Sequence, residues 1–310
     1  MVNCLHRWIV DPTTKEKVDT LHLCTDDLQI TVIPQRALDI YELSYRNSGI
    51  SYTDYQAKIV SKGFCETGSE NFSTHFFAGM LTTCGLIQSG RPCQESGRKF
   101  GLHGCISNTP TIQLHTEILE DRVVVHGVIE EHHPEGESMQ LVRYITLHQD
   151  NWIEIADTVK NIGESITPFM LMYHINFGAP FLSKNLQVSI PFSYIEDRDT
   201  GLPVPPSDIL EIKPQAIGIS EKVYYTKADM SSGARLFDPI SGRECHLTAE
   251  GTSWVGIWEN FVEGAYAFGI EPCNCPGLGR VNAAKRNLLP YLAPNESHRF
   301  RIRLQFTNYT

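Results

Sequence analysis

With 310 residues, 41% of them hydrophobic and 20% charged, the chain can bury a sizeable core, and disordered and fibrous classes are excluded. Its 26 Lys and Arg against 36 Asp and Glu give a formal charge of −10 with no basic cluster, which argues against nucleic acid or an anionic membrane surface as a partner. No apolar run approaches the ~20 residues needed to span a bilayer, and the N-terminal stretch is too short and too interrupted for a secretory signal.

In chain order, the first predicted strand is Leu28–Ile33, followed by a short helix near Tyr52–Ser61. Strands are then expected over Ile112–Ile118, Arg122–Glu130, Met139–Leu147, Trp152–Val159 and Phe169–His174, each rich in Val, Ile, Thr or aromatic residues. The connections between the middle strands are short, Glu120-Asp121 and the turn around His132-His133, which favours antiparallel neighbours. The stretch from Leu202 to Ser207 reads as a Pro-rich surface loop. Strands Ser253–Trp258 and Tyr266–Glu271 follow, then a short helix near Asn282–Leu289. The clearest strand is last: Phe300, Ile302, Leu304 and Phe306 alternate with Arg299, Arg301, Arg303 and Gln305, the period of a strand with one wet face. The expectation is an all-β chain, a large antiparallel sandwich with few short helices, forming one domain over residues 1–310.

Nine cysteines, an odd number spread from Cys4 to Cys275, do not form a disulfide framework by spacing and suit a cytoplasmic location. Phosphate-loop, dinucleotide, serine-hydrolase and zinc-protease signatures are missing from the sequence. Cys273-Asn-Cys275 has no second pair at zinc-ribbon spacing, and His132-His133 reads as a solvated hairpin tip. No metal or cofactor is expected.

Three segments set titratable residues into apolar or glycine-rich surroundings. His103 lies between glycines in Gly101-Leu-His-Gly104, where the backbone can turn tightly. His174 and Asn176 share one face of a strongly hydrophobic strand. Glu271 ends an apolar strand just before Pro272. Two imidazoles and a carboxylate, with ordinary pKa values of about 6.5 and 4.3, suit paired acid and base chemistry near neutrality.

The segments Gly79-Met-Leu-Thr-Thr-Cys-Gly85, Gly101-Leu-His-Gly-Cys-Ile-Ser-Asn-Thr-Pro110, Tyr173-His-Ile-Asn-Phe-Gly178 and Gly269-Ile-Glu-Pro-Cys-Asn274 resemble the aldose 1-epimerase (galactose mutarotase-like) superfamily. The branch they resemble is known mostly as a domain of unknown function. Ile33-Pro-Gln-Arg-Ala-Leu-Asp-Ile-Tyr-Glu42 is similar to its N-terminal motif, so the likeness runs through nearly the whole chain. The resemblance implies a β-supersandwich with a sugar-binding groove and a cofactor-independent isomerase acting on a free sugar. By motif, Glu271 would take the proton of the anomeric hydroxyl, His174 would protonate the ring oxygen, and His103 would assist binding. The branch's usual arginine after Leu-His-Gly is Cys105 here.

Substrate contacts are expected from Arg36, Asn176 and Asp199. Arg36 either enters the groove or pairs structurally, and Asp199 either meets a hydroxyl or pairs within its charged loop. Trp254 and Trp258 share a strand face and either stack on a sugar or pack in the core. Two other readings stay open, a non-catalytic carbohydrate-binding protein on the same fold and a metal-dependent sugar isomerase using His103, His174 and Glu271. An edge strand also leaves a homodimer open.

Overall fold

Alternation along the strands decides the layers. The strand Ser297–Asn308 buries Phe300, Ile302, Leu304 and Phe306 and exposes the intervening arginines and Gln305, as its sequence requires. In the computed structural model, which describes residues 1–60, 69–133, 136–192 and 194–309, it is a central member of an eight-stranded antiparallel sheet. That sheet runs, in spatial order, Gln187–Ser189, Ala234–Phe237, Arg243–Glu250, Ser297–Asn308, Trp152–Asn161, Ser138–His148, Arg122–His132 and Ile112–Ile118.

A six-stranded antiparallel sheet faces it, ordered Glu196–Asp197, Lys222–Lys227, Trp254–Val262, Ala265–Cys273, Met170–Gly178 and Thr82–Leu86. A five-stranded N-terminal sheet, from Asn3–Val10 to Ser48–Gly49, completes the sandwich. One apolar core joins all three, with Leu141, Ile155 and Ile302 from the first sheet, Tyr173, Ile257 and Ile270 from the second, and Ile30 and Ile40 from the third. The six-stranded sheet has a second apolar layer on its other face, built from Cys84, Met172, Tyr225, Trp254, Trp258 and Cys273. Its strand Met170–Gly178 is accordingly buried at every position, as a strand covered on both faces must be.

The expected strands all form, several of them longer than read. The strand through His174 continues to Gly178 and carries Asn176 with it. The helix expected at Tyr52–Ser61 does not form over its described part, Tyr52–Val60. There Tyr52, Asp54 and Lys58 give their N–H groups to the carbonyls of Asn176, Phe77 and Thr74, so the segment's donors go to neighbouring chain rather than to a helical ladder. Ser61 lies outside the described residues. The later helix spans Arg280–Lys285, and a helix over Ser69–His75 was not anticipated. Seven of the described cysteines are free thiols, whereas Cys105 is disulfide-bonded. No helix among the described residues is long and apolar enough to cross a membrane.

Candidate active site

The outer face of the six-stranded sheet forms the floor of a cavity of about 280 Å³. Period-2 alternation sends Tyr173, Ile175 and Phe177 into the core and turns His174 and Asn176 the other way. On the next strand Phe268 and Ile270 enter the core and Glu271 faces the cavity, and on the one after, Ile257 goes in while Trp258 comes out. The floor is thus built from three adjacent strands, rigid supports for side chains that must hold an orientation.

His174 and Glu271 meet on this floor, with Nε2 3.1 Å from Oε1, and both are almost fully buried. Two glycines make room on the floor, one for Glu271 and one for Trp258. A Cβ at Gly256, directly opposite Glu271 in the ladder, would lie 2.4 Å from the Glu271 carboxylate oxygen Oε2. A Cβ at Gly269, opposite Asn176, would lie 3.0 Å from the Cβ of Trp258.

Asn176 sets the protonation pattern of His174. Its side-chain amide nitrogen donates to the carbonyls of Gly79 at 3.1 Å and His174 at 3.0 Å, so its oxygen is free to accept, and His174 Nδ1 lies 2.6 Å from it. Nδ1 therefore carries a hydrogen, and Nε2 is the nitrogen that gains or loses a proton beside Glu271. Burial pushes Glu271 well above the ordinary glutamate range, an effect opposed by Arg198 and reinforced by Glu221. Burial pulls His174 well below the ordinary histidine value, opposed by the bond to Asn176 and by Glu221. Near neutral pH the two groups share one proton. Placed on Glu271 it leaves both uncharged, and moved to Nε2 it gives a carboxylate and an imidazolium.

His103 comes from a loop pinned to the sheet. Its N–H donates to Gly90 O at 2.9 Å and its carbonyl accepts from Gly85 N–H at 3.0 Å, while Gly104 packs too closely on Gly85 to carry a side chain. The ring is 4.8 Å from that of Phe72 and 5.9 Å from that of His174. Its Nδ1 is buried in the cavity wall without a hydrogen-bond partner among the described residues, and burial, with the neighbouring His174 and Arg198, lowers its pKa to about 3, so it is neutral. Aromatic rings close the sides. Phe76 lies 4.9 Å and Trp258 5.1 Å from the His174 ring, and Trp258 Nε1 donates to Glu221 Oε2 at 2.8 Å.

The structure brings His103, His174 and Glu271 to one cavity and places the three expected substrate contacts elsewhere. Arg36 is buried away from the cavity, where its guanidinium donates to the carbonyls of Ser107, Lys58, Ile59 and His75 and stacks on Phe77. Those bonds hold loops together, and the side chain is almost fully buried away from the cavity. Asn176 lies beneath His174 with its amide fully engaged. Asp199 stands behind the rim, bonded to Arg91 and, at 2.9 Å, to Arg198 Nε. It orients those two arginines, which do line the cavity. Sequence reasoning missed Phe76, Arg91, Arg198, Glu221 and Tyr225. The signal for Arg198 was its place inside the acidic run Glu196-Asp-Arg-Asp199, and nothing local marked the others. Of the tryptophan pair, Trp258 lines the cavity and Trp254 packs in the layer beneath.

A family model described as a domain of unknown function (DUF4432) matches residues 15–306. No curated protein matches the chain. Among solved structures, a Klebsiella pneumoniae protein provisionally assigned as an aldose 1-epimerase superposes with a TM-score of 0.85 at 19% identity, over 99% of this chain and 83% of that one. A galactose mutarotase-like protein from Clostridium acetobutylicum gives 0.71 at 16% identity, over 99% of both chains. A galactose 1-epimerase from Lactobacillus acidophilus gives 0.66 at 12% identity, over 100% of this chain and 99% of that one. At such identities the likeness is one of fold. The family match over most of the chain makes this protein a member of the DUF4432 family, and the superpositions show that it has a galactose mutarotase-like fold.

Proposed function

We propose that the protein is a cofactor-independent aldose 1-epimerase that interconverts the anomers of a free sugar. The observation that carries this reading is the 3.1 Å contact between His174 Nε2 and Glu271 Oε1 on a buried cavity floor, a pair holding one mobile proton. Anomer interconversion needs one base and one acid on either side of a single acetal carbon, and no net proton.

A pyranose entering the cavity separates the pair. In its carboxylate form Glu271 accepts the proton of the anomeric hydroxyl, and His174 Nε2–H donates to the ring oxygen. The bond between C1 and the ring oxygen breaks, a carbonyl forms at C1, and the open chain turns about C1–C2. Closure on the other carbonyl face returns both protons and yields the other anomer. Low polarity strengthens both transfers, and the rings of Phe76 and Trp258 offer an apolar wall for the C–H face of a sugar. His103, neutral, offers a ring nitrogen to a hydroxyl. Asn176 fixes the tautomer of His174, Asp199 steadies the rim arginines, and Arg36 supports the loops above them.

Exchange of anomeric protons, measured by NMR across a panel of free sugars, tests the proposal. The native protein is expected to accelerate exchange for at least one sugar, and Glu271→Gln to bind that sugar without accelerating it. Equal acceleration by both would falsify the assignment of Glu271. Saturable binding with no acceleration by the native protein would make it a carbohydrate-binding protein on an enzyme fold.

A further inference from the structure

The strand Ile112–Ile118 ends the eight-stranded sheet, and its outer edge pairs with no other strand among the described residues. All seven of its residues are exposed, including Ile112 at 44%, Leu114 at 36% and Ile118 at 53%. On its inner neighbour, Ile118 lies opposite Val123 and Thr116 opposite Val125, both fully buried. Leu114, Thr116 and Ile118 therefore extend the core-facing side of the sheet to its rim, where the strand Asn3–Val10 comes near but leaves all three exposed, while His115 and Glu117 occupy the other face. Exposed edges usually carry lysine, proline or inward-pointing charge to prevent pairing, and this strand has none of them. A register shift lies at its beginning, and from His115 to Ile118 it is regular.

We propose that this edge pairs with the same edge of a second copy, antiparallel about a two-fold axis through Thr116. The segment is self-complementary in that register. Leu114 meets the other copy's Ile118, His115 meets its Glu117, and Thr116 meets Thr116, which are apolar, hydrogen-bonding or charge-paired, and Thr–Thr combinations of the kind that stabilise antiparallel ladders. Moving the axis by one residue loses this match. Centred on Glu117, two carboxylates face each other, and centred on His115, Leu114 meets Thr116. The His115 ring is already held in place, stacked 5.9 Å from His126, which stacks 4.4 Å from Tyr144. Five paired residues make a small interface, so the dimer is reversible.

Sedimentation velocity from about 1 µM to about 1 mM tests this, a range matched to weak association. The native chain is expected to pass from monomer to dimer. Thr116→Lys sets two cations on the axis and is expected to remain monomeric throughout. His115→Glu opposes Glu117 and is expected to weaken the dimer at least about tenfold, and the double change His115→Glu with Glu117→Lys is expected to restore it. These side chains point to solvent, and circular dichroism checks that each variant is folded. A native chain that stays monomeric up to the top of the range overturns the proposal, as does a dimer insensitive to Thr116→Lys, or a double change that dissociates as much as His115→Glu alone.

Discussion

His174 Nδ1 lies 2.6 Å from the side-chain oxygen of Asn176, two residues along the same strand, and this bond dictates which imidazole nitrogen faces Glu271. Without it the neutral ring loses the acceptor that keeps its hydrogen on Nδ1, and the tautomer with hydrogen on Nε2 would face a protonated carboxyl. Asn176→Leu is therefore expected to lower kcat/KM for anomer exchange by about 100-fold, the scale of a misoriented catalytic group. Asn176→Asp keeps the acceptor and is expected to retain more activity. Histidine 15N shifts separate orientation from general damage, since the native ring should show hydrogen on Nδ1 and the leucine variant a mixture. An unchanged tautomer in an inactive leucine variant would count against this role.

The shared proton also predicts the pH profile. The working pair carries one proton, lost when Glu271 titrates at the upper limit and joined by a second when His174 titrates at the lower limit. Burial places these limits toward about 8 for Glu271 and about 4 for His174, so kcat/KM should be flat across neutral pH and fall on both sides. A narrow bell with its limits at the ordinary glutamate and histidine values, about 4.3 and about 6.5, would contradict the pairing.

Stability should follow the same groups. The folded-state pKa of Glu271 is raised, so its contribution is fully present below the unfolded value and is lost as pH rises through about 8. The folded-state pKa of His174 is lowered, so its contribution is present above the unfolded value and is lost as pH falls through about 4. Glu271→Gln removes the alkaline loss alone. Between pH 6 and 9 the native protein should lose at least about 2 °C more in Tm than the variant, a shift that corresponds to roughly 1 kcal/mol in a large domain. Parallel Tm curves would show that Glu271 does not change charge in this range.

Gly256 gives a steric test. A methyl group there would sit 2.4 Å from Glu271 Oε2 and 3.0 Å from the Tyr225 ring, so the carboxyl must move. Gly256→Ala is expected to cost about 100-fold in kcat/KM with sugar affinity changed far less, because displacement of a reacting group affects the transition state more than binding. Equal losses in kcat/KM and in affinity would instead place the damage in the sugar pocket.

The fold was legible because strands with one wet face write their period into the sequence. Ser297–Asn308 and Trp152–Asn161 alternate without a break. Local pattern failed where tertiary partners decide, as at Tyr52–Val60, whose backbone donors bind distant carbonyls. The residues that meet at the cavity were legible because a titratable group in an apolar or glycine-rich segment is conspicuous, and the family motifs suggested the roles proposed for them. Arg36 was singled out from the N-terminal motif and Asp199 from its charged loop, and both are bonded to neighbouring chain, Arg36 to loop carbonyls and Asp199 to the rim arginines. Sequence gives the type of a side chain and its strand face, but not whether its hydrogen-bonding capacity is already taken. Phe76 and Tyr225 were missed because an aromatic residue in a cavity wall and one in a core look alike from sequence.

Arg143 shows the same limit and supports the last prediction. It is fully buried between the sheets, with Nε and Nη2 on Asp157 at 3.0 and 2.7 Å and Nη1 donating to Thr83 Oγ1, Ala37 O and Asp39 Oδ1 at 2.8, 3.0 and 3.3 Å. Tyr173, the residue before His174, donates to Asp157 at 2.8 Å, so the network ties all three sheets together directly behind the cavity floor. Arg143→Ala strands two buried carboxyls, Asp39 and Asp157, and is expected to cost about 3–5 kcal/mol, whereas replacing a buried pair by apolar residues of similar volume is often close to neutral. Urea unfolding of Arg143→Met, Asp157→Leu and the double change Arg143→Met with Asp157→Leu should therefore show strong non-additivity, the double variant being more stable than the single losses sum to. Additive losses would mean that the arginine and the aspartate stabilise the sandwich independently, which their paired contacts do not allow.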